Sequence, residues 1–191
     1  MNLRSIRKTL VAVAASAAAA AHGAEIVLEQ SAVQKLVVES LFKDHGRYYL
    51  QRGACSAFLD NPVVTLTGGR VVIRAHLSAR VGMDFGNSCA GVDLASWATV
   101  SGEPGAQGTA VRLANIRIED VGDANTRIVL DSGAMPTLPG ALDLDVLKAV
   151  RSMLQGAGGQ LQVDVQALTI SSVRVADNRL SVVFDFRVAG R

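Results

Sequence analysis

The sequence predicts an α+β fold in which a long, curved antiparallel sheet packs around or against two amphipathic helices. Three observations carry that expectation. Hydrophobicity alternates with a period of two over several long stretches, most clearly over Arg70 to Phe85. The alternation is one-sided, the pattern of an antiparallel sheet with a single covered face. Two further stretches carry apolar residues at helical spacing and can supply the cover.

The chain opens on a segment that reads as a leader. Arg4, Arg7 and Lys8 make a basic start, Leu10 to Ala21 a short apolar run, and Ala21-His22-Gly23 places small residues before a cut ahead of Ala24. An alanine-rich membrane anchor is the alternative, but the run is short and alanine only weakly apolar. A lipoprotein needs a cysteine directly behind the apolar run, whereas the first cysteine is Cys55. The expectation is therefore a signal peptide over 1–23, with a bacterial look, and one domain over 24–191 that is periplasmic or secreted. Behind the leader no apolar run approaches the roughly 20 residues that a membrane-spanning helix needs. Of 191 residues, 49% are hydrophobic and 19% charged, which excludes a disordered chain. The net charge is +2, and losing the three leader cations takes it to −1. No basic footprint for nucleic acid remains.

The elements follow in order. Ile26 to Leu28 suits a short strand or a packing staple. Ser31 to Lys43 reads as a helix, with Ser31 as its cap and Val33, Leu36, Val37, Ser40 and Leu41 on one stripe. Gly46 stops it. Pro62 to Thr67 is a strand, and Gly68-Gly69 a two-residue hairpin turn. Arg70 to Phe85 then alternates Val71, Ile73, Ala75, Leu77, Ala79, Val81, Met83 and Phe85 with a wet face. That is far longer than the usual strand of about 5–6 residues, so strong twist or bending is expected. Val92 to Ser101 is the next strand, 103–108 a loop, and Ala110 to Val121 a strand. Leu113 and Ile116 fall out of phase there, which predicts a bulge near Ala114-Asn115. Thr126 to Leu130 reads as a short strand. Asp143 to Gln155 reads as the second helix, with Leu147, Val150, Met153 and Leu154 on its stripe. A strand within Gln160 to Val175, a turn at Ala176-Asp177-Asn178 and a strand from Leu180 to Val188 close the chain.

Cys55 and Cys89 are the two cysteines. In an oxidising compartment an isolated pair is expected to form a structural disulfide. Redox and metal roles lack the necessary Cys-x-x-Cys or histidine spacing. No nucleophile elbow, metalloprotease helix, P-loop or dinucleotide fingerprint is present. His45 suits a helix C-terminus, and His76 sits on the wet face of its strand. No catalytic residue, metal or cofactor is expected, and the chain reads as a non-enzyme. Trp97 lies opposite the apolar set of its strand, either packed under a loop or exposed as a contact point. Tyr48-Tyr49 pack at the sheet edge or line a pocket mouth.

The apolar faces themselves point to function. The ordinary reading is a filled α+β core. The alternative is a groove between sheet and helix that stays open for an acyl chain. Its candidate lining is Leu36, Val37 and Leu41 of the first helix, then Ile73, Leu77, Val81 and Phe85 of the long strand. Leu147 and Val150 of the second helix follow, with Phe184 and Phe186 of the last strand.

The order of these elements resembles bacterial periplasmic proteins of the tubular lipid-binding (TULIP-like) superfamily. The features shared are a signal peptide and a helix striped by Val33, Leu36, Val37 and Leu41. Behind them come a strand opening at Asn61-Pro62-Val63, a hairpin into Arg70–Val81, a late helix and a closing Asn178–Phe186 strand. The resemblance covers most of 25–190. It implies a highly curved antiparallel sheet wrapped around a helix, with a lipid or other apolar small molecule as ligand, and no catalytic residues. The relatives are commonly lipoproteins, and this chain departs from them at the missing lipidated cysteine. A non-catalytic envelope module with a filled core and a protein partner is the competing expectation.

Overall fold

A computed structural model describes residues 24–133, 138–146 and 165–188; the leader and most of the Asp143–Gln155 stretch lie outside them. In chain order the elements are β1 (Ala24–Glu29), α1 (Gln30–Leu41), β2 (Arg47–Gln51), β3 (Ala57–Thr67) and β4 (Arg70–Asp84). β5 (Cys89–Gln107), β6 (Ala110–Val121), α2 (Ala124–Asp131), β7 (Leu142–Leu144), β8 (Val165–Ala176) and β9 (Arg179–Val188) follow. The fold is α+β, mostly antiparallel sheet, with helices α1 and α2 among the described residues. The strands form two sheets. A six-stranded meander runs β2-β3-β4-β5-β6-β7 and curls into a half-barrel, and a three-stranded sheet runs β1-β9-β8.

The period-two reading holds along β4, where Val71, Ile73, Ala75, Leu77 and Ala79 are all buried while Arg74 and Arg80 face solvent. Gly68 and Gly69, at φ 57° and 75°, make the turn into β4. Only residues free to adopt positive φ suit a two-residue turn that matches the strand twist. β5 runs to Gln107, so the expected 103–108 loop is instead the far end of a 19-residue strand. The β6 bulge lies where the phase change puts it: Asn115 has φ 50°, and the register with β5 slips between Ser101 and Glu103.

α1 starts directly from β1, so its cap position is Glu29, which makes no side-chain cap bond. Ser31 thus falls inside the first turn rather than capping it. Val33, Leu36 and Val37 are buried against β3, β7, β1 and β9, so both sheets share this one helix. The join to β3 is a specific one. Past Asp60 the strand bulges, with Asn61 at φ 49°, and β2 no longer pairs with it. Gln34 takes the place of the missing strand: its Oε1 accepts the Val64 N–H at 2.7 Å and its Nε2 donates to the Pro62 carbonyl at 2.8 Å. A free sheet edge is thereby covered by a side-chain amide that imitates backbone.

One expected element changes identity: Thr126 to Leu130 is helical, within α2. The first two residues of the expected second helix, Asp143 and Leu144, belong to strand β7, which pairs with Val111–Leu113 of β6. Val146 is helical, and the rest of the expected helix, 147–155, lies outside the described residues. Cys55 and Cys89 form a disulfide with Cα atoms 5.0 Å apart, closing 34 residues of chain. Such a loop stabilises by about 3–4 kcal/mol in the chain-entropy model. It pins the segment before β3 to the start of β5. Past that point a Cβ on Gly82 would run into the Ala90 carbonyl, and one on Gly91 into that of Val81, so the facing glycines permit the close approach of the hairpin end.

The Gln34 clamp gives a first prediction. Gln34→Leu leaves a backbone donor and a carbonyl without their partners and lowers unfolding free energy by about 1–3 kcal/mol, read from urea denaturation.

Candidate functional site

The curl of the six-stranded sheet has a concave apolar face. Leu59 of β3, Leu77 of β4 and Ala98 and Val100 of β5 point into it because alternate residues of a strand share one side. α2 lies across the β5–β6 side, and between it and the sheet is a cavity of about 380 Å³. Its far wall is Ile116 and Ile118 of β6, and Leu50, Leu130 and Leu138 complete the apolar lining. The β6 bulges set that wall. The register slips between Thr99 and Val100 and again before Glu103, which brings Ile118 opposite Val100. A narrower cleft of about 20 Å³ shares Leu59, Val100 and Leu138 and reaches Leu41 and Phe42 at the end of α1 and Ile73 of β4. Tyr48 stands at this cleft, where burial pushes its phenol pKa up.

Among the described residues, two charged side chains line the cavity, Arg127 and Asp131, one turn apart on α2. Arg127 Nε donates to Asp131 Oδ2 at 3.2 Å, and both side chains are at least half exposed. An exposed i,i+4 pair of this kind is worth at most about 0.5 kcal/mol, and base-before-acid is the weaker order. Asp131 also closes α2 at its C-terminus, where the helix dipole disfavours an acid. The cavity thus has an apolar interior and one guanidinium, weakly engaged, in its lining.

α2 exists because of its cap. Asp123 Oδ2 accepts the Thr126 N–H at 2.7 Å and its hydroxyl at 2.9 Å. These bonds, the backbone one foremost, hold the Asp123 carboxyl pKa below its ordinary value. The cap outweighs the β-branched character of Thr126, Ile128 and Val129. Asp123 followed three residues on by Thr126 was the signal in the sequence, and reading Thr126–Leu130 as strand hid both the helix and Leu130.

The predicted groove residues divide. Leu77 lines the cavity, and Leu41 and Ile73 line the adjoining cleft. Leu36, Val37 and Phe184 are buried in the core away from either. Val81 is half-buried, and Phe85, 64% exposed, lies beyond the end of β4 beside Met83. Phe186 lies on β9 with its side chain outside the described residues, as are Leu147 and Val150. Ala98 and Val100 share the apolar side of the β5 alternation and are legible there; Leu50, Ile116 and Ile118 depend on the curl and the bulges.

The convex face carries a different set. Trp97 is 39% exposed, flanked by the His76 ring at 5.6 Å and by the Arg74 guanidinium at 4.6 Å. It packs on the open sheet surface rather than under a loop. Asp60 and Ser78 both approach the same nitrogen of His76, Nδ1, at 3.4 Å. A relay needs the nucleophile and the acid on opposite nitrogens, so this is not a triad geometry. Among the described residues, no group of three or more His, Cys, Asp or Glu side chains is placed to hold a metal, and no helix is long and apolar enough to cross a membrane. Neither the family models nor the curated proteins compared with the chain match it.

The Asp123 cap yields a titration with a definite sign. Its pKa is depressed in the folded state, so its contribution is present above the ordinary carboxylate range and is lost as pH falls through the folded value. The amide resonance of Thr126 should therefore titrate with a midpoint below 3.8, the ordinary aspartate value, and Asp123→Asn should abolish that titration. A midpoint at or above the ordinary value would contradict the cap.

Proposed function

We propose that this protein is an exported, TULIP-like carrier or sensor that holds a lipid or other acyl-chain compound in the concave groove. The observation that carries the reading is the cavity of about 380 Å³ walled by Leu59, Leu77, Ala98 and Val100. Apolar clefts of roughly 300–1,000 Å³ with a few polar groups are how proteins hold small apolar molecules. The sheet curled around α1 agrees with the architecture that the resemblance implies, an argument from analogy alone. The Cys55–Cys89 disulfide supports export into an oxidising compartment.

The test is mass spectrometry of an organic extract of the protein, purified without detergent from the periplasm of its own host. A stoichiometric apolar molecule is the expected result. An empty extract, together with no uptake of a fluorescent fatty acid, would sink the reading. Ala98→Phe fills the cavity from its floor. It should reduce uptake at least tenfold while costing about 1–3 kcal/mol of stability.

A second reading, an envelope interaction module, draws on Trp97. An aromatic ring partly exposed between Arg74 and His76 is the kind of anchor that dominates protein interfaces. On this reading Trp97→Ala weakens association with the envelope partner by tenfold or more without lowering the thermal midpoint; unchanged association counts against it.

A further inference from the structure

We infer that the ligand of the concave cavity is a single-chain amphiphile with an anionic head, and that Arg127 is the residue that binds the head. The inference rests on the groove reading above and deepens it. It is carried by the distribution of charge in the cavity lining, which among the described residues is apolar on the sheet side and charged on α2. A fully apolar ligand would gain nothing from a guanidinium at that wall. One acyl chain is of a size with the cavity of about 380 Å³, and Leu77, Ala98, Val100 and Leu130 are the apolar residues it would lie against.

Of the two charged residues, Arg127 is the one suited to the head. Its guanidinium has five N–H donors in a fixed fork, and the pair with Asp131 uses the Nε one. The remaining edge presents the paired donors that match a carboxylate or a phosphate bidentately. Asp131 is the weaker competitor for that fork. It is the more exposed partner, it sits at the end of α2 that disfavours an acid, and its bond to Arg127 runs in the less favourable order. A head group lying partly inside the cavity is less hydrated than Asp131 and so binds the same guanidinium more strongly. Asp131 then serves to hold Arg127 against the wall of the empty cavity. Carboxylate and phosphate heads share this chemistry, and the probes separate them.

The experiment measures binding of three soluble amphiphiles of equal chain length, each below its micelle concentration, by calorimetry. They are laurate, lauryl phosphate and lauryl trimethylammonium, with lauryl alcohol as the uncharged reference. The intact protein should bind laurate or lauryl phosphate about ten to a hundred times more tightly than the alcohol, and the cationic amphiphile more weakly than the alcohol. Which anion binds more tightly names the head. Arg127→Gln should remove most of the preferred anion's advantage over the alcohol, read as the ratio of their affinities in the same variant, and Arg127→Lys should restore part of it. Salt should weaken the anion and leave the alcohol alone. Equal binding of all four probes, or an anion preference that survives in Arg127→Gln, overturns the role of Arg127 and leaves the groove reading standing. Failure of every probe to bind, the alcohol included, overturns the groove reading itself. Arg127 is half exposed on α2, and circular dichroism of the variants separates loss of binding from loss of fold.

Discussion

The constraint on which the rest depends is a mismatch of lengths. β4 has 15 residues and β5 has 19; β4 buries one face over Val71–Ala79, and β5 is buried mainly over Ser96–Gly102. At about 3.3 Å per residue β4 alone extends about 50 Å. The helix that packs on this sheet, α1, meets it at β3 and β7, has 12 residues and is about 18 Å long. A flat sheet of that length would leave most of its apolar face in water. The sheet instead curls, bringing Leu59, Leu77 and Val100 toward one another and drawing β9 in from the other side so that Leu180, Val182 and Phe184 meet the same helix. Beyond the end of the helix, α2 and Leu138 are the described residues that cover the apolar face, and the cavity lies there. Where β4 runs on past the disulfide, Met83 and Phe85 remain in solvent.

A curl this tight needs places where the ladder yields, and they are local and chemically distinct. Gly82 and Gly91 face each other where side chains would collide with backbone. Asn61 and Asn115 take positive φ at the bulges of β3 and β6. The two bulges are each compensated by a nearby polar group. Gln34 supplies the bonds that β3 loses at its edge, and the Arg70 guanidinium joins Ser101, Glu103 and the Asn115 carbonyl across the β5–β6 irregularity, with Ser101 donating to Glu119. Arg70 is mostly buried, and its charge is tolerable because its acceptors surround it. The polar convex face and the apolar concave face are therefore linked: the outer network holds the bend that gives the inner face its hollow.

Sequence periodicity was a good guide wherever burial is one-sided and local. The β4 alternation, the Gly68-Gly69 turn, the β6 phase slip and the Asp177-Asn178 turn, both at positive φ, are all properties of a few neighbouring residues. It failed where two local preferences compete. Thr126 to Leu130 has β-branched residues that favour a strand, but the Asp123 carboxylate satisfies the first N–H groups of a helix, and a satisfied cap decided the outcome. At Leu142–Leu144 the acids that suit a helix start belong instead to a strand, where Asp143 pairs with Arg112 across the ladder at 2.8 and 3.0 Å.

From the chain alone came the fold class, the pairing of Cys55 with Cys89, and the identity of the apolar face, because each follows from spacing along the backbone. The tertiary structure alone decided that there are two sheets, that both share α1, and that Ile116, Ile118 and Leu130 join Leu77 around one hollow. The reason is geometric. Alternation tells which side of a strand is apolar, but the curvature that converts one side into a cavity depends on residues such as Gln34, Asn115 and Gly91. Their effect exists only when a distant segment is folded against them.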